Sequence, residues 1–165
     1  MLLVRRRQLS LKNGRIGLVS DTHGLVRPEA LAALRGSEVI IHAGDIGKQE
    51  VLDSFGSIAP VITIKGNNDR DLWAKKIPDV LHLKINGIKI QVIHNVNELE
   101  ADPSHDGFRV IVSGHSHKPG LVTRDGILFI NPGSAGPRRF RLPIAIGKVW
   151  IEQGKVEAKI IEIEI

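Results

Sequence analysis

The sequence predicts an α/β fold of two packed sheets with helices on their outer faces. In the first half of the chain, buried strands alternate with short helices, which is typical of parallel strands joined by right-handed crossovers. In the second half, apolar runs are joined by hairpin signals such as Asn86-Gly87. At 165 residues and 42% hydrophobic content, the chain is predicted to form one domain with a core of Val, Ile, Leu and Ala.

The first half is predicted to form a βαβαβ unit. Residues 1–14 are expected to be an extension ahead of the first strong strand, so that the single domain spans 15–165. Pro28 is predicted to open the first helix, because its fixed φ and missing N–H suit the first helical turn. In chain order the predicted elements are strand 15–20, helix 29–34, strand 39–43, helix 49–55 and strand 61–64.

The second half is predicted to consist mainly of paired strands. Asn86-Gly87 joins the first pair, and Arg124-Asp125-Gly126 and Gln153-Gly154 mark two further hairpins. A buried strand lies between the first and second hairpins. The predicted strands are 80–85, 88–94, 109–113, 121–123, 127–130, 145–152 and 156–163.

The composition excludes several kinds of site. With no cysteine, the chain has no disulfide, thiolate zinc site or cysteine nucleophile, so metal ligands must be His, Asp, Glu or Asn. The apolar runs are too short to cross a bilayer and residues 1–7 resemble no secretory signal, so a cytoplasmic location without a membrane partner is expected. The net charge of +5 favours an anionic partner without singling out nucleic acid. The basic clusters 5–7 and 138–141 are interpreted as solvated faces.

Side chains with metal-binding atoms follow five of the predicted strands, at the point where each strand ends. Ligands in open α/β sheets collect outside the carboxyl ends of strands, so these side chains are expected to meet at one edge. Carboxylates, imidazoles and an amide suit manganese, nickel, iron, cobalt or zinc. The predicted ligands are Asp21, His23, Asp45, Asn67, His94, His115 and His117.

Seven ligands are too many for one catalytic ion that keeps an open position, but two ions that share a carboxylate would have four each. Two ions roughly 3.5–4 Å apart can activate a bridging hydroxide and stabilise the attacking and leaving oxygens of a phosphoryl transfer. Gly44, Gly66 and Gly114 each precede a predicted ligand, so the backbone is expected to turn sharply or approach the metals closely there. Taken alone, Asp45 is better explained as a cap of the next helix, whereas within the complete set metal ligation is favoured.

The order D-x-H, G-D, G-N-x-D, strand-end His and G-H-x-H resembles the calcineurin-like metallophosphoesterases. The segments LVSDTHG, IIHAGDI and INPGS resemble their small bacterial and archaeal phosphodiesterase branch (the YfcE/MJ0936-type proteins), which the retromer subunit Vps29 shares. The resemblance covers residues 16–136. It implies a four-layer α/β/β/α sandwich of two mixed sheets flanked by helices. It also implies two divalent metal ions, for which Mn²⁺ or Ni²⁺ is preferred and Fe, Co or Zn are the alternatives.

The resemblance also implies how the ligands divide. One ion would bind Asp21, His23, Asp45 and His117, and the other Asp45, Asn67, His94 and His115, with Asp45 bridging. The residue after the motif asparagine is often His, and in this branch often Cys, whereas here it is Asn68, which donates a hydrogen bond but transfers no proton. After His94 the family often continues Gly-His, and here the chain continues Asn95-Val96. Asn68 and Asp69 are the candidate catalytic residues, Asp69 by orienting Asn68 or a metal-bound histidine.

Other polar residues carry weaker expectations. His42, inside an apolar run, is expected to be a hydrogen-bonded core histidine or to support a ligand, and His82 and His105 are assigned no role. Residues 131–134 either line the site or form an ordinary turn. Arg138 either neutralises a phosphate or is solvated.

Three functions follow from these expectations. The first is hydrolysis of a small phosphodiester by a hydroxide that bridges the two ions. The alternative is a non-catalytic or weakly active scaffold that binds proteins, as Vps29 does. A nuclease shares the chemistry, but the sequence offers no aromatic platform for stacking bases. A homodimer is expected from base rates.

Overall fold

The computed structural model describes residues 2–100 and 102–165; Met1 of the predicted extension and Ala101 of the predicted domain lie outside the described residues. The α-helices are α1 (Pro28–Ala33) and α2 (Gln49–Gly56). Short 3₁₀ turns cover Leu72–Ala74, Val96–Glu98 and Pro103–Asp106. The strands are β1 (Val4–Leu9), β2 (Arg15–Val19), β3 (Val39–His42), β4 (Val61–Thr63), β5 (Val80–Ile85), β6 (Ile88–Ile93), β7 (Val110–Val112), β8 (Gly120–Arg124), β9 (Ile127–Asn131), β10 (Ala145–Glu152) and β11 (Lys155–Glu162).

The strands form two mixed sheets, which confirms the predicted fold class. The five-stranded sheet has the order β11-β10-β2-β3-β4. Its strands β2, β3 and β4 are parallel, as the βαβαβ prediction requires, and β10 joins them antiparallel to β2. The six-stranded sheet has the order β1-β5-β6-β7-β9-β8 and combines parallel pairs with the hairpins β5-β6 and β8-β9.

One strand was not predicted. Val4–Leu9, within the segment expected to be an extension, pairs parallel to β5 along its whole length and forms one edge of the six-stranded sheet. Its three consecutive arginines hide the alternation of apolar residues that marks a strand. Charged side chains are common on edge strands because they discourage pairing with further chains.

The main core lies between the two sheets. Alternate residues of β5, such as Leu81, Leu83 and Ile85, point into it and meet Leu18 and Ile41 of the opposite sheet. A second core packs both α-helices against the outer face of the five-stranded sheet, and a third packs 3₁₀ turns and loops against the outer face of the six-stranded sheet. Within the described residues, no helix is long and apolar enough to span a membrane.

Candidate metal centre

The ends of four strands, β2, β3, β6 and β7, meet at one edge of the sandwich. Asp21 follows β2, Asp45 follows β3, His94 follows β6 and His117 lies in the loop after β7. Backbone hydrogen bonds tie these loops together: Asp21 N donates to Gly44 O and His23 N donates to Asp45 O, both at 3.0 Å. Strands from both sheets therefore deliver their polar ends to one place.

Five of the predicted ligands form a compact, mostly buried cluster. Asp21 is fully buried, and its Oδ1 lies 3.5 Å from His117 Nε2, 3.8 Å from His94 Nε2 and 3.9 Å from His23 Nε2. Asp45 Oδ2 lies 3.3 Å from His94 Nε2 and 3.8 Å from His23 Nε2. The two carboxylates thus share the histidines between them, with Asp21 as central as Asp45.

The two oxygens of Asp21 have different environments. Oδ2 accepts hydrogen bonds from Ser20 Oγ at 2.7 Å and from His115 N at 3.0 Å. Oδ1 is buried and has no hydrogen-bond partner. Burial raises the pKa of Asp21, and the His94 ring and the Ser20 hydroxyl oppose that rise. Ser20, which the sequence did not single out, therefore orients the carboxylate and leaves Oδ1 free for a cation.

His94 is oriented in the same manner. Its Nδ1 donates to Ala43 O at 2.7 Å, which leaves Nε2 as the atom that faces the carboxylates, and Nε2 is buried without a hydrogen-bond partner. Burial lowers the pKa of His94, but Asp45, Asp21 and the Ala43 carbonyl together raise it above its usual value. The negative potential that favours a proton on His94 also favours a metal ion at its Nε2.

Asp45 is held by the loop after β4. Asn68 donates to it twice, from its backbone N to Oδ1 at 3.0 Å and from Nδ2 to Oδ2 at 3.1 Å. Burial disfavours the charged carboxylate, but the His94 contact and the Asn68 amide outweigh burial and hold the pKa of Asp45 well below its usual range. Asp45 therefore stays ionised, and Asn68 lies directly against it.

The remaining two predicted ligands lie at the periphery. His115 and Asn67 are exposed and line a cavity of about 140 Å³ together with His94. The His115 and His94 rings are 5.2 Å apart, whereas the Asn67 side chain makes no hydrogen bond within the described residues. The structure brings five ligands into direct proximity and places these two at the mouth of the same site.

The backbone at the cluster is unusual. Asp21, His23, Asp45, His115 and His117 have φ values of 54°, 46°, 56°, 72° and 62°. Residues with a Cβ seldom adopt this left-handed region, and when they do it is often at functional sites where surrounding structure holds them. The strand-end loops thus store local strain in order to turn these side chains inward.

All three glycines that precede predicted ligands allow close packing, and a Cβ on Gly44 would lie 2.7 Å from His94 Nδ1. A Cβ on Gly66 would overlap the Asp45 carboxylate and backbone, and a Cβ on Gly114 would overlap Ser20 Oγ and approach Asp21 Oδ2 to 2.6 Å. The predicted close approach is therefore found, and the neighbours are the ligand side chains themselves.

Asp69 has a different role from the predicted one. Its buried carboxylate accepts from three backbone amides, Ile46 N at 3.0 Å, Gly47 N at 3.0 Å and Gly66 N at 2.9 Å. It contacts neither the Asn68 side chain nor a histidine, because both oxygens are occupied by these amides. Asp69 is a positioning residue that clamps the Asp45 loop to the Gly66 loop.

His42 is a neutral core histidine, as expected. Its Nδ1 accepts from Gly44 N at 3.1 Å and its Nε2 lies 2.9 Å from Thr22 Oγ1, which donates onward to Ile46 O. Burial and then the nearby His94 lower the pKa of His42 to about 3. This chain of hydrogen bonds supports the loops that carry the carboxylates.

Residues 131–134 brace the loops that carry the cluster. Asn131 Nδ2 donates to Gly114 O at 2.9 Å, and Ser134 Oγ donates to Asp21 O at 2.8 Å. The turn therefore fixes the backbone on both sides of the cluster.

The basic loop at residues 137–142 adds a cation near the cluster. Burial lowers the pKa of His117 to about 4, and the charge of Arg139 is the next cause. Arg138 Nη1 instead donates to Leu142 O within the loop. Phe140 of the same loop is 88% exposed, with φ of 54°.

The cluster has the donors that a divalent metal ion requires. Two groups, Asp21 with His23 and His117, and Asp21 with Asp45 and His94, each have ligand atoms within 4.8 Å of one another. The unpartnered Asp21 Oδ1 and His94 Nε2 would each gain a partner on binding a cation. Buried polar atoms are seldom left unpaired, so the residues present fit divalent metal ions.

Comparison with known proteins decides the family. The profile of the calcineurin-like phosphoesterase superfamily domain matches residues 15–154. The chain belongs to this superfamily. Membership places it among the phosphoester hydrolases that use divalent metal ions, and confirms the resemblance inferred from the ordered strand-end motifs.

Relatives of this superfamily member include proteins from archaea and eukaryotes. A probable metallophosphoesterase of Methanocaldococcus jannaschii, MJ0623, is 38% identical over 164 residues, which cover 90% of this chain and 81% of that protein. A solved archaeal phosphodiesterase has a TM-score of 0.75 at 25% identity, covering 89% of this chain and 99% of that one. Vps29 of Cryptosporidium parvum shares the fold, with a TM-score of 0.70 at 19% identity, covering 93% and 99%.

Proposed function

We propose that this metallophosphoesterase hydrolyses phosphodiesters with two divalent metal ions, most favourably Mn²⁺ or Ni²⁺, at the strand-end cluster. The observation that carries the proposal is Asp21 Oδ1, a buried oxygen without a hydrogen bond that lies within 3.9 Å of three imidazole Nε2 atoms. Asp21, His23 and His117 would hold one ion, and Asp45, His94, Asn67 and His115 the other, with Asp45 shared. When bound, the ions would activate water as the nucleophile and offset charge on the phosphoryl oxygens.

The protein's own groups prepare the site for an anionic substrate. Ser20 and Ala43 fix the orientations of Asp21 and His94, so little reorganisation is needed during the reaction. Asn68 Nδ2 donates one N–H to Asp45 Oδ2 at 3.1 Å, and its second N–H is the group that would donate to a phosphoryl oxygen. Arg139, whose charge reaches His117, adds a positive field that attracts the phosphodiester.

The substrate preference follows from the missing proton donor. An amide transfers no proton to a departing alkoxide, so leaving groups of low pKa should be strongly favoured. We expect Mn²⁺- or Ni²⁺-dependent hydrolysis of bis(p-nitrophenyl) phosphate and poor turnover of alkyl phosphomonoesters, measured as kcat/KM across a panel of substrates and metals. Equal metal-stimulated rates on both classes would contradict this preference, and inactivity with every metal would contradict the proposed function.

Asn68→His tests the missing donor directly. Positioned general acids contribute typically about 10²–10⁴-fold, so turnover of alkyl monoesters should rise by about tenfold or more. The rate on the aryl diester should change much less, because its leaving group needs little protonation. Asn97→His, on an exposed 3₁₀ turn after β6, is the control and should alter neither rate. Unchanged monoester turnover in Asn68→His would show that the acid is not what limits this reaction.

A second function, protein binding, is favoured by the shared fold with Vps29. Asn68 and Asn95 stand where the family often has substrate-facing histidines, which would suit a weakly active scaffold. The buried carboxylates argue for catalysis, because a scaffold gains no stability from burying charges that lack partners. Elemental analysis of the purified protein distinguishes the two functions: bound divalent metal supports the hydrolase, and a metal-free, inert protein supports the scaffold.

A further inference from the structure

A basic cavity lies on the outer face of the six-stranded sheet, away from the metal centre. It has a volume of about 480 Å³. Three adjacent strands and the 3₁₀ turn ending at Asp106 form it. Its lining includes Arg6 and Arg7 of β1, His82 and Lys84 of β5, Lys89 of β6, and Phe108.

The cations of this cavity are not neutralised by carboxylates. Among the residues that the structure describes, the only lysine or arginine in an ion pair is Lys65, with Asp79. Lys89 donates to the carbonyl of Asp106, and its Nζ lies 4.8 Å from the centre of the Phe108 ring. Both contacts orient the ammonium group while leaving its charge in place.

Phe108 and Arg6 lie next to His82 in the cavity. The His82 and Phe108 rings are 5.0 Å apart, and Arg6 lies directly opposite His82 in the β1–β5 register. Burial lowers the pKa of His82, and the charges of Arg6 and then Lys89 contribute, with Asp106 opposing them. Positive charge from two different strands is therefore concentrated at one point.

The cavity is separate from the metal centre. Lys89 and His94 lie near opposite ends of β6, five residues apart, which corresponds to about 17 Å along a strand. Moreover, β1 precedes residue 15, where the match to the superfamily profile begins. The arginines of the N-terminal segment thus give this face a feature that the metal centre does not require.

We propose that this cavity binds a small, multiply charged phosphate anion, such as a pyrophosphate group. The side chains of Arg6, Lys84 and Lys89 share the face of the sheet on which the cavity lies, against one carboxylate, Asp106. Arg and Lys bind phosphate oxygens through charge-assisted hydrogen bonds. The concave shape suits a compact anion better than an extended nucleic acid backbone. Phe108 is only 4% exposed, so its ring offers no face on which a base could stack.

The test is calorimetric titration of the full-length protein with sodium pyrophosphate, repeated at higher ionic strength. The double variant Arg6→Gln/Lys89→Gln removes one cation from each of two strands. We expect its affinity to fall by at least about tenfold, because each charge-assisted contact contributes at least as much as a neutral hydrogen bond. Added salt should weaken binding to the unaltered protein, since the cavity is open to solvent.

Two controls locate the binding. Arg5→Gln changes the same charge on the same strand but on its other face, where Arg5 donates to Lys76 O, and it should leave the affinity unchanged. Asp45→Asn, which alters the metal centre, should also leave it unchanged. Undiminished binding by the double variant, loss of binding in Asp45→Asn, or tighter binding of a single-stranded oligonucleotide than of pyrophosphate would each overturn the proposal.

Discussion

Replacing Asp45 with Asn is expected to lower metal-dependent phosphodiester hydrolysis by roughly 10³-fold or more, beyond the about 10–100-fold loss typical of changing an outer partner of a metal ligand. Asp45 Oδ2 lies 3.3 Å from His94 Nε2 and 3.8 Å from His23 Nε2, so it stands between the two groups of ligand atoms. An amide has nearly the same shape but no charge and a single acceptor oxygen. The measurements are kcat/KM on bis(p-nitrophenyl) phosphate and the metal content of the purified variant.

A matched substitution separates this effect from a general loss of charge. Asp53 lies on α2 at the surface and accepts a hydrogen bond from Gln49. Asp53→Asn makes the same chemical change, and surface substitutions of this kind alter rates and stability by at most about twofold. If Asp45→Asn kept the activity of the unaltered protein, the two-metal mechanism would be wrong, whatever the result for Asp53.

The predictability of this site from sequence has a physical basis. Asp21 and Asp45 each follow a run of buried strand residues, and their strands β2 and β3 are parallel neighbours whose carboxyl ends meet at one edge. Position along the chain therefore specifies position in space for these side chains. The fold class is predictable for the same reason, because the apolar runs and their connecting turns determine which strands are parallel and which form hairpins.

The supporting contacts could not be predicted in the same way. Asp69 was expected to orient a side chain, but it binds the backbone amides of Ile46, Gly47 and Gly66. No local pattern marks that partner choice, since it depends on how two loops from different strands approach each other. The same holds for Ser20, whose hydroxyl orients Asp21 but looks like an ordinary strand-end residue in the sequence.

Edge strand β1 is an element that the sequence pattern did not predict. Strand patterns are recognisable because one face is buried, and Val4–Leu9 is exposed at nearly every position. Its place in the sheet comes from backbone pairing with β5, from Val4 opposite Val80 to Leu9 opposite Ile85. Arg6 carries no core signal, yet it lines the basic cavity, so the least predictable strand contributes to the second site we propose.

Asp21 is expected to destabilise the metal-free fold and, at the same time, to bind the metal ion that the proposed function requires. The residue is fully buried, and one of its oxygens has no hydrogen-bond partner. A buried carboxylate with one unpartnered oxygen destabilises the fold, and the raised pKa of Asp21 expresses the same penalty on its charged form. Burial favours the protonated form of Asp21. The free energy of unfolding is therefore highest at low pH and falls as the pH rises past the usual range of a carboxyl group and Asp21 ionises. At neutral pH the ionised Asp21 of the metal-free site should therefore destabilise the fold, and a bound metal ion would remove this destabilisation.

Asp21→Asn should consequently stabilise the metal-free protein while abolishing its stabilisation by metal. The amide oxygen can take over the hydrogen bonds from Ser20 and His115, and the amide N–H groups can donate to the imidazole Nε2 atoms that now face Oδ1. Removing an unpaired buried charge should raise the free energy of unfolding by about 1–3 kcal/mol. Thermal unfolding with chelator and with excess Mn²⁺ measures both effects, because a ligand that binds only the folded state raises its stability by mass action.

Ser20→Ala is the matched comparison, because it should lower the free energy of unfolding of the metal-free protein, whereas Asp21→Asn should raise it. It keeps the charge of Asp21 but removes one hydrogen bond, so the metal-free protein should lose about 1 kcal/mol while metal still stabilises it. Opposite signs for the two variants would show that the buried charge, and not the packing around it, is the source of the strain. If Asp21→Asn were destabilised in chelator and still stabilised by Mn²⁺, Asp21 would be a structural residue, and the assignment of its free oxygen to a metal ion would fail.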